Sequence, residues 1–373
     1  MKILFISHES SRTGAPLVLL YLLKWMKLNK LDVKVDVLSL QSGDLDSEFV
    51  NYCDNFYDFQ HIVTPKKLNL LRKILIKLRL LEKSNQRKKI LFQLRNNNYD
   101  VVYANTILSV PFGFDMVSNL TTTKFVVHVH ELNTVIKQLL PDFSKYVNLI
   151  DKYIVPAKIV RDNLVQNYAV PLTKIKIAPE FTTVNDIKVI NKNDSFTVGG
   201  SGSVIWRKGY DLFIQVAKRV CSINTNFKFI WVGKVNLHDR IMIDEDLMKL
   251  GLSNKVFFVD EVDTPSEHYI NFDVFLMTSR EDPFPLVCIE VGMLGKPIIS
   301  FDKANGTNEI LIDGGGFIVP YLDIEKMADK VIHYHNNIEL MHEHGAYNKL
   351  AFSHFTPDKI CPIIYSEIFD NNA

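Results

Sequence analysis

The stretch SREDPFPLVCIEVGMLGKP, residues 279–297, sets two carboxylates eight positions apart, Asp282 in a proline-bounded loop and Glu290 inside an apolar run. Pro285 suits the first turn of a helix, where its missing N–H would have had no intrahelical acceptor and its φ is already set. A helix starting there exposes backbone N–H groups around residues 284–287, so Phe284, Pro285 and Leu286 border an anion-binding terminus. Asp282, just outside, can accept hydrogen bonds from sugar hydroxyls. Glu290, about a turn and a half inward, can take a diol such as ribose in bidentate fashion. Two acceptors flanking an anion-binding helix end describe a site for a nucleotide sugar.

Other chemistries find less support in the chain. The first strand leads into SHESSRTGAP with one glycine, and GSGSVI at 200–205 lacks the third glycine of a dinucleotide-binding turn, which disfavours hydride transfer. A literal D-x-D occurs at Asp244 and Asp246, but RIMIDEDLMKL has helical periodicity, and side chains two apart on a helix diverge, so a solvated face is expected. The same spacing argues against metal binding by His333 with His335 or by His342 with His344. His128 and His130 share one face of a strand and could form a metal pair, yet no third ligand stands nearby in the sequence; His130, at the strand end beside Glu131, is better placed to line a cleft. The four cysteines, Cys53, Cys221, Cys288 and Cys361, lie far apart with no C-x-x-C pairing, which indicates neither zinc nor a disulfide framework and suits a reducing compartment.

Elements that could position these residues alternate along the chain. KILFIS (2–7), VKVDVLSL (33–40), DVVYAN (100–105), KFVVHVHE (124–131) and KYIVPA (152–157) read as strands, with helical patterns such as PLVLLYLLKWMKLN between several of them. The series restarts with FTVGGSGSV (196–204), FKFIWVGK (227–234), KVFFVDE (255–261), DVFLMTS (273–279) and GKPIISFD (295–302). Near-continuous apolar strands alternating with helices predict parallel sheets covered on both faces. With 373 residues, two α/β Rossmann-like domains are expected, an N-terminal one over 1–180 and a C-terminal one over 195–355, facing a central cleft. The opening MKILFIS is too short for a signal peptide and no run of about eighteen apolar residues occurs, so a cytoplasmic protein is expected.

The formal charge is +1, but residues 66–95 hold eleven lysines and arginines against the single Glu82, a local +10. Leu68, Leu71, Leu75, Leu78 and Leu81 make a helical stripe through this segment. A surface helix, a nucleic-acid patch and an interfacial helix on anionic lipid compete. Phe92 is its one aromatic, which disfavours nucleic acid. Packing explains the leucines but not the charge, so a helix that packs and also makes peripheral membrane contact is expected.

DVFLMTSREDPFPLVCIEVGMLGKPIIS resembles the signature of family 4 of the retaining glycosyltransferases with the GT-B fold, whose usual form is E-x7-E; here it reads Asp282-x7-Glu290, with prolines at 283 and 285 in place of glycines. GSGSVIWRKGYDLFI is similar to the family's G-R-L-x-x-x-K-G element, whose arginine and lysine neutralise a diphosphate: Gly202 and Lys208 match, Ser203 stands at the arginine position, and Arg207 is adjacent. The loop bearing Gly14, the strand end at His130 and Glu131, WVGK with Gly233, and NGTNE with Gly306, Thr307 and Glu309 resemble further family elements in order along the chain. The resemblance implies a transferase that moves a sugar, with retention, from a nucleoside diphosphate to a glycan or lipid-linked acceptor at the inner membrane face. Lys208, Asp282 and His130 would be catalytic. Gly14, Gly202, Ser203, Arg207, Gly233, Phe284, Pro285, Leu286 and Glu290 would hold the donor, with no metal or other cofactor required. It also implies that a helix over 356–370 packs back on the first domain. A non-catalytic scaffold subunit of the same fold is the alternative, and a glycoside phosphorylase a more distant one.

Overall fold

The computed structural model describes residues 1–60, 86–118, 120, 122–183 and 195–369. The leucine stripe from Leu68 to Leu81 and the larger part of the basic segment lie outside the described residues.

The chain divides into two compact units. Unit 1 comprises Met1–Val155, Arg161–Ala178 and Cys361–Ala373; unit 2 comprises Pro156–Val160 and Pro179–Ile360. Unit 1 is built on seven strands, β1 (Lys2–Ser7), β2 (Lys34–Ser39), β3 (Asn55–Asp58), β4 (Val101–Ala104), β5 (Lys124–His128), β6 (Lys152–Val155) and β7 (Ile175–Ile177). They run in the order β3-β2-β1-β4-β5-β6-β7, every neighbouring pair parallel. The central strands are buried along nearly their whole length, as their unbroken apolar runs require of a sheet covered on both faces. The Pro357–Phe369 helix is tied into this unit at its C-terminal end: Glu367 pairs with Lys152 at 2.9 Å and Lys176 at 3.0 Å, and the Tyr365 ring meets Trp25 edge-on.

The visible end of the basic segment is the Gln86–Arg95 helix. Ile90, Leu91 and Leu94 are buried, while Arg87 reaches Asp115 at 2.6 Å and lies over the Phe112 ring, and Arg95 donates to the Asp115 carbonyl. Two of its cations therefore serve packing against the Val110–Val117 helix.

Unit 2 repeats the plan with six parallel strands, β8 (Phe196–Ser201), β9 (Phe227–Val232), β10 (Val256–Val259), β11 (Val274–Met277), β12 (Ile298–Phe301) and β13 (Gly316–Val319), in the order β10-β9-β8-β11-β12-β13. Phe213, Phe229 and Trp231 interlock beside Gly200, where a Cβ would stand 2.6 Å from the Trp231 ring; each such ring removed from water contributes roughly 1.5–3 kcal/mol.

The structure corrects the sequence reading at the edges. β3 and β13 were not expected, because edge strands are half-buried and lack the apolar signal of central ones. Gly316 opens β13 at φ +154°, with no room for a side chain beside the Ile298 carbonyl, so this strand start requires glycine. Strands also end earlier than read: β5 stops at His128 and β8 at Ser201, leaving Val129–Glu131 and Gly202–Val204 as loops at the strands' C-terminal ends.

Candidate active site

At the C-terminal end of β8 the chain turns through Gly202, at φ +139°, and the exposed Ser203. Gly202 is enclosed: its N–H donates to the Val232 carbonyl at 3.0 Å and its own carbonyl accepts from the Trp231 indole at 2.8 Å. Gly233, at φ +147°, faces that carbonyl so closely that a Cβ would lie 2.3 Å from it. Both positions therefore need glycine. The aliphatic stem of Lys208 passes 3.1 Å from where a Gly202 Cβ would stand, so the turn forms the floor under the lysine.

Lys208 closes a single 3-10 turn, Trp206–Lys208, and Gly209 follows in the left-handed region at φ +71° to start the Tyr210–Ile223 helix. Arg280, in the loop after β11, holds this turn. Its N–H donates to Arg207's carbonyl at 2.8 Å, and its guanidinium forks onto Asp211 at 2.9 and 2.8 Å, bonds the Trp206 carbonyl at 2.6 Å and stacks under the Trp206 ring.

The Lys208 ammonium lies 2.5 Å from Asp282 Oδ2. Arg207 Nη1 stands 3.6 Å from the other carboxylate oxygen and donates to the Glu281 carbonyl at 2.9 Å, and the Ser279 hydroxyl lies 3.4 Å from Oδ2. Burial alone would push the Asp282 carboxyl up; Lys208 and Arg207 beside it outweigh that and hold it below the usual carboxylate value. The Asp282 backbone is fixed as well, its N–H on the Ala304 carbonyl at 2.8 Å and its strand-like bridge to Asn305. Asn305 is anchored to Ser300 at 2.8 Å and takes the Thr307 hydroxyl at 2.5 Å, while Gly306 donates to the Pro283 carbonyl at 2.8 Å. Glu309, also placed near the cleft by the sequence, instead caps the N–H of Lys158 at 2.8 Å.

Pro285 is the N-cap of the Leu286–Met293 helix, so the helix starts one residue later than expected from sequence, and the first turn leaves N–H groups without intrahelical acceptors. Phe284 is buried with its ring against Phe355, so its side chain belongs to the core. Glu290 follows on the same helix. Burial lifts its carboxyl to about 7, partly opposed by a hydrogen bond from Thr182. Cys288, on the same helix, is fully buried, and burial pushes its thiol well above the ordinary value. Tyr269, hydrogen-bonded to Ser201 at 2.7 Å, also borders Glu290.

Gly14 and His130 belong to unit 1. Gly14 is the first residue of the Gly14–Leu28 helix, after a loop in which Glu9 accepts from Ser11 and Thr13. His130 lies just beyond β5 with its ring 3.9 Å from His128; its backbone N–H donates to Glu131 Oε2 at 2.9 Å. His128 is hydrogen-bonded to Tyr103 at 2.7 Å, and burial, with His130 alongside, depresses its pKa well below the ordinary value, so it is neutral. Asp244 and Asp246 are exposed on the Leu237–Leu250 helix.

Sequence reasoning missed the supports: Ser279, Arg280 with Asp211, Thr182, Tyr269 and Asn305. Ser279, Arg280, Asp211 and Asn305 stood inside stretches already singled out; Thr182 and Tyr269 had no sequence signal, because each reaches its partner across tens of residues.

Residues 183–351, which include Gly202, Lys208, Asp282 and Glu290, match the family described as glycosyl transferases group 1. The C-terminal region of the chain is thus similar to the group 1 glycosyl transferases. Among curated relatives of the group 1 region, a poly(ribitol-phosphate) alpha-N-acetylglucosaminyltransferase of Staphylococcus aureus is 28% identical over 182 residues, 47% of this chain and 36% of the relative. The capsular polysaccharide biosynthesis glycosyltransferase CapM of Staphylococcus aureus is 27% identical over 139 residues, 37% of this chain and 36% of the relative. The matched region thus spans about a third of each relative's length. Over the whole chain, HepE of Anabaena, solved in complex with UDP, superposes with a TM-score of 0.77 at 17% identity, covering 98% of this chain and 99% of HepE. The fold is GT-B, two Rossmann-like units with parallel sheets, as the sequence led us to expect.

Proposed function

We propose that the protein is a glycosyltransferase of cell-surface polysaccharide or glycolipid synthesis. It would move a sugar from a nucleoside diphosphate to a glycan or lipid-linked acceptor with retention at the anomeric carbon. The observation that carries this reading is the pairing, inside the group 1 region, of Lys208 and Arg207 with Asp282, four residues ahead of the helix that carries Glu290. As the bond from the anomeric carbon to the diphosphate breaks, negative charge grows on the leaving phosphate. Preorganised cations and helix N–H groups aimed at that charge lower the barrier most. Lys208 and Arg207 take this part, and the charge is borne by side chains without a required metal. Arg207 stands in for the cation missing at Ser203. Glu290 holds the ribose diol, Asp282 the sugar hydroxyls, and Gly202 and Gly233 let backbone approach the nucleotide.

The relatives' names, poly(ribitol-phosphate), capsular polysaccharide and O-antigen glycosyltransferases among them, support a polysaccharide setting. Contact with the inner membrane face through the basic segment 66–95 is part of the proposal. Among the described residues no helix is long and apolar enough to cross a membrane.

Calorimetric titration with a panel of nucleoside diphosphate sugars, beginning with UDP-glucose because HepE has been solved with it, tests the reading. One donor should bind to the native chain and lose most of its affinity in Glu290→Ala. Absence of binding by every donor refutes the enzyme reading in favour of a scaffold subunit.

A further inference from the structure

We propose that Asp282 is a built-in counter-ion of the anion site, and that an entering diphosphate takes its place on Lys208 and Arg207, releasing the carboxylate to engage the rest of the ligand. This rests on the nucleotide-sugar reading and assigns the site a resting state.

The geometry points to exchange rather than to a permanent salt bridge. Both cations that face the site are already spent on one carboxylate, Lys208 at 2.5 Å and Arg207 at 3.6 Å, and that carboxylate is only 9% exposed. Two cations against one anion leave a net +1, too little for the two negative charges of a nucleotide sugar's diphosphate while Asp282 still holds them. A phosphate oxygen brought to Lys208 beside an engaged Asp282 would meet like charge in a poorly solvated place, where repulsion is strong.

The parts also differ in mobility. Asp282 is fixed at its backbone by Ala304 and Asn305 and cannot retreat with its loop. Lys208 carries its ammonium on a long stem laid over Gly202, and it can swing from carboxylate to phosphate without moving the turn. After the swing Asp282 keeps the Ser279 hydroxyl and gains open lone pairs for donors such as sugar hydroxyls. The same carboxylate then serves twice. It offsets part of the charge of two partly buried cations before a ligand binds, and its lone pairs become open to sugar hydroxyls only once a diphosphate has arrived.

A residue that merely touches the ligand and one that competes with it make opposite predictions for a probe lacking sugar and base. Inorganic pyrophosphate, without added magnesium, is titrated calorimetrically into the full chain and into Asp282→Asn. Exchange requires the variant to bind pyrophosphate at least about tenfold tighter, equivalent to about 1.4 kcal/mol, with a steeper salt dependence, and the gain must vanish in the double variant with Lys208→Ala. Equal or weaker binding by Asp282→Asn, or binding by neither protein, overturns the proposal. Should the variant be too unstable to titrate, the pyrophosphate-induced rise in Tm replaces the titration: a larger rise in Asp282→Asn than in the native chain supports exchange, an equal or smaller one refutes it. The donor reading fails independently, through loss of Glu290-dependent nucleotide-sugar binding, and leaves the pyrophosphate comparison standing.

Discussion

Burial lifts the Glu290 carboxyl to about 7, so its charge changes where donor binding can be measured. If the ribose diol donates to this group, the ionised form binds. With a pKa near 7, about one molecule in eleven is ionised at pH 6 and about ten in eleven at pH 8, so affinity for UDP-glucose should rise about tenfold between them, or about 1.4 kcal/mol. UDP-glucose suits the assay because its phosphates do not titrate in that range, and Glu290→Gln should flatten the profile. Stability runs the other way. The folded pKa lies above the unfolded value of about 4.5, so the folded state binds more protons between about pH 4.5 and 7 and loses stability as pH rises through that window, by about 3 kcal/mol in all. Above pH 7 the contribution is flat. Urea unfolding should therefore find Glu290→Gln more stable than the native chain at pH 8, with the gap narrowing toward pH 5. A pH-independent affinity in the native chain, or a slope that survives in Glu290→Gln, refutes the reasoning.

Gly209→Ala places a Cβ 2.0 Å from the Thr278 carbonyl at a φ of +71°; the left-handed strain alone costs about 1–2 kcal/mol, and both the urea midpoint and kcat should fall because Lys208 precedes it. Asn348, fully buried, donates to the Lys296 and Gly315 carbonyls at 2.8 and 2.7 Å, so Asn348→Ala should lose about 3 kcal/mol in chemical denaturation, with donor affinity unaffected among molecules that remain folded. Arg280→Lys keeps the charge but loses the planar fork onto Asp211 and the Trp206 carbonyl; about 1–2 kcal/mol of stability and a measurable part of the donor affinity should go with it. Lys208→Ala should reduce kcat by orders of magnitude, and near-normal turnover would remove it from the leaving-group role.

Much of this was readable from local pattern. Central strands such as β1 and β9 announce themselves because burial on both faces demands uninterrupted apolar residues, and the Asp282-x7-Glu290 spacing across Pro285 marks a helix start whatever surrounds it. Edge strands β3 and β13 escaped because half-buried strands lack that signal. The sequence by itself determined the parallel α/β plan and the helix start between Asp282 and Glu290, since periodicity and helix-start chemistry depend only on neighbours in the chain; the other candidate residues were named through a family resemblance. What the tertiary structure decided is the electrostatic state of those residues. Lys208 and Asp282 are 74 positions apart, and nothing local indicates that they pair, or that burial desolvates Glu290 until its pKa nears 7. Pairing and desolvation depend on what lies within a few ångströms in space, and folding alone fixes that.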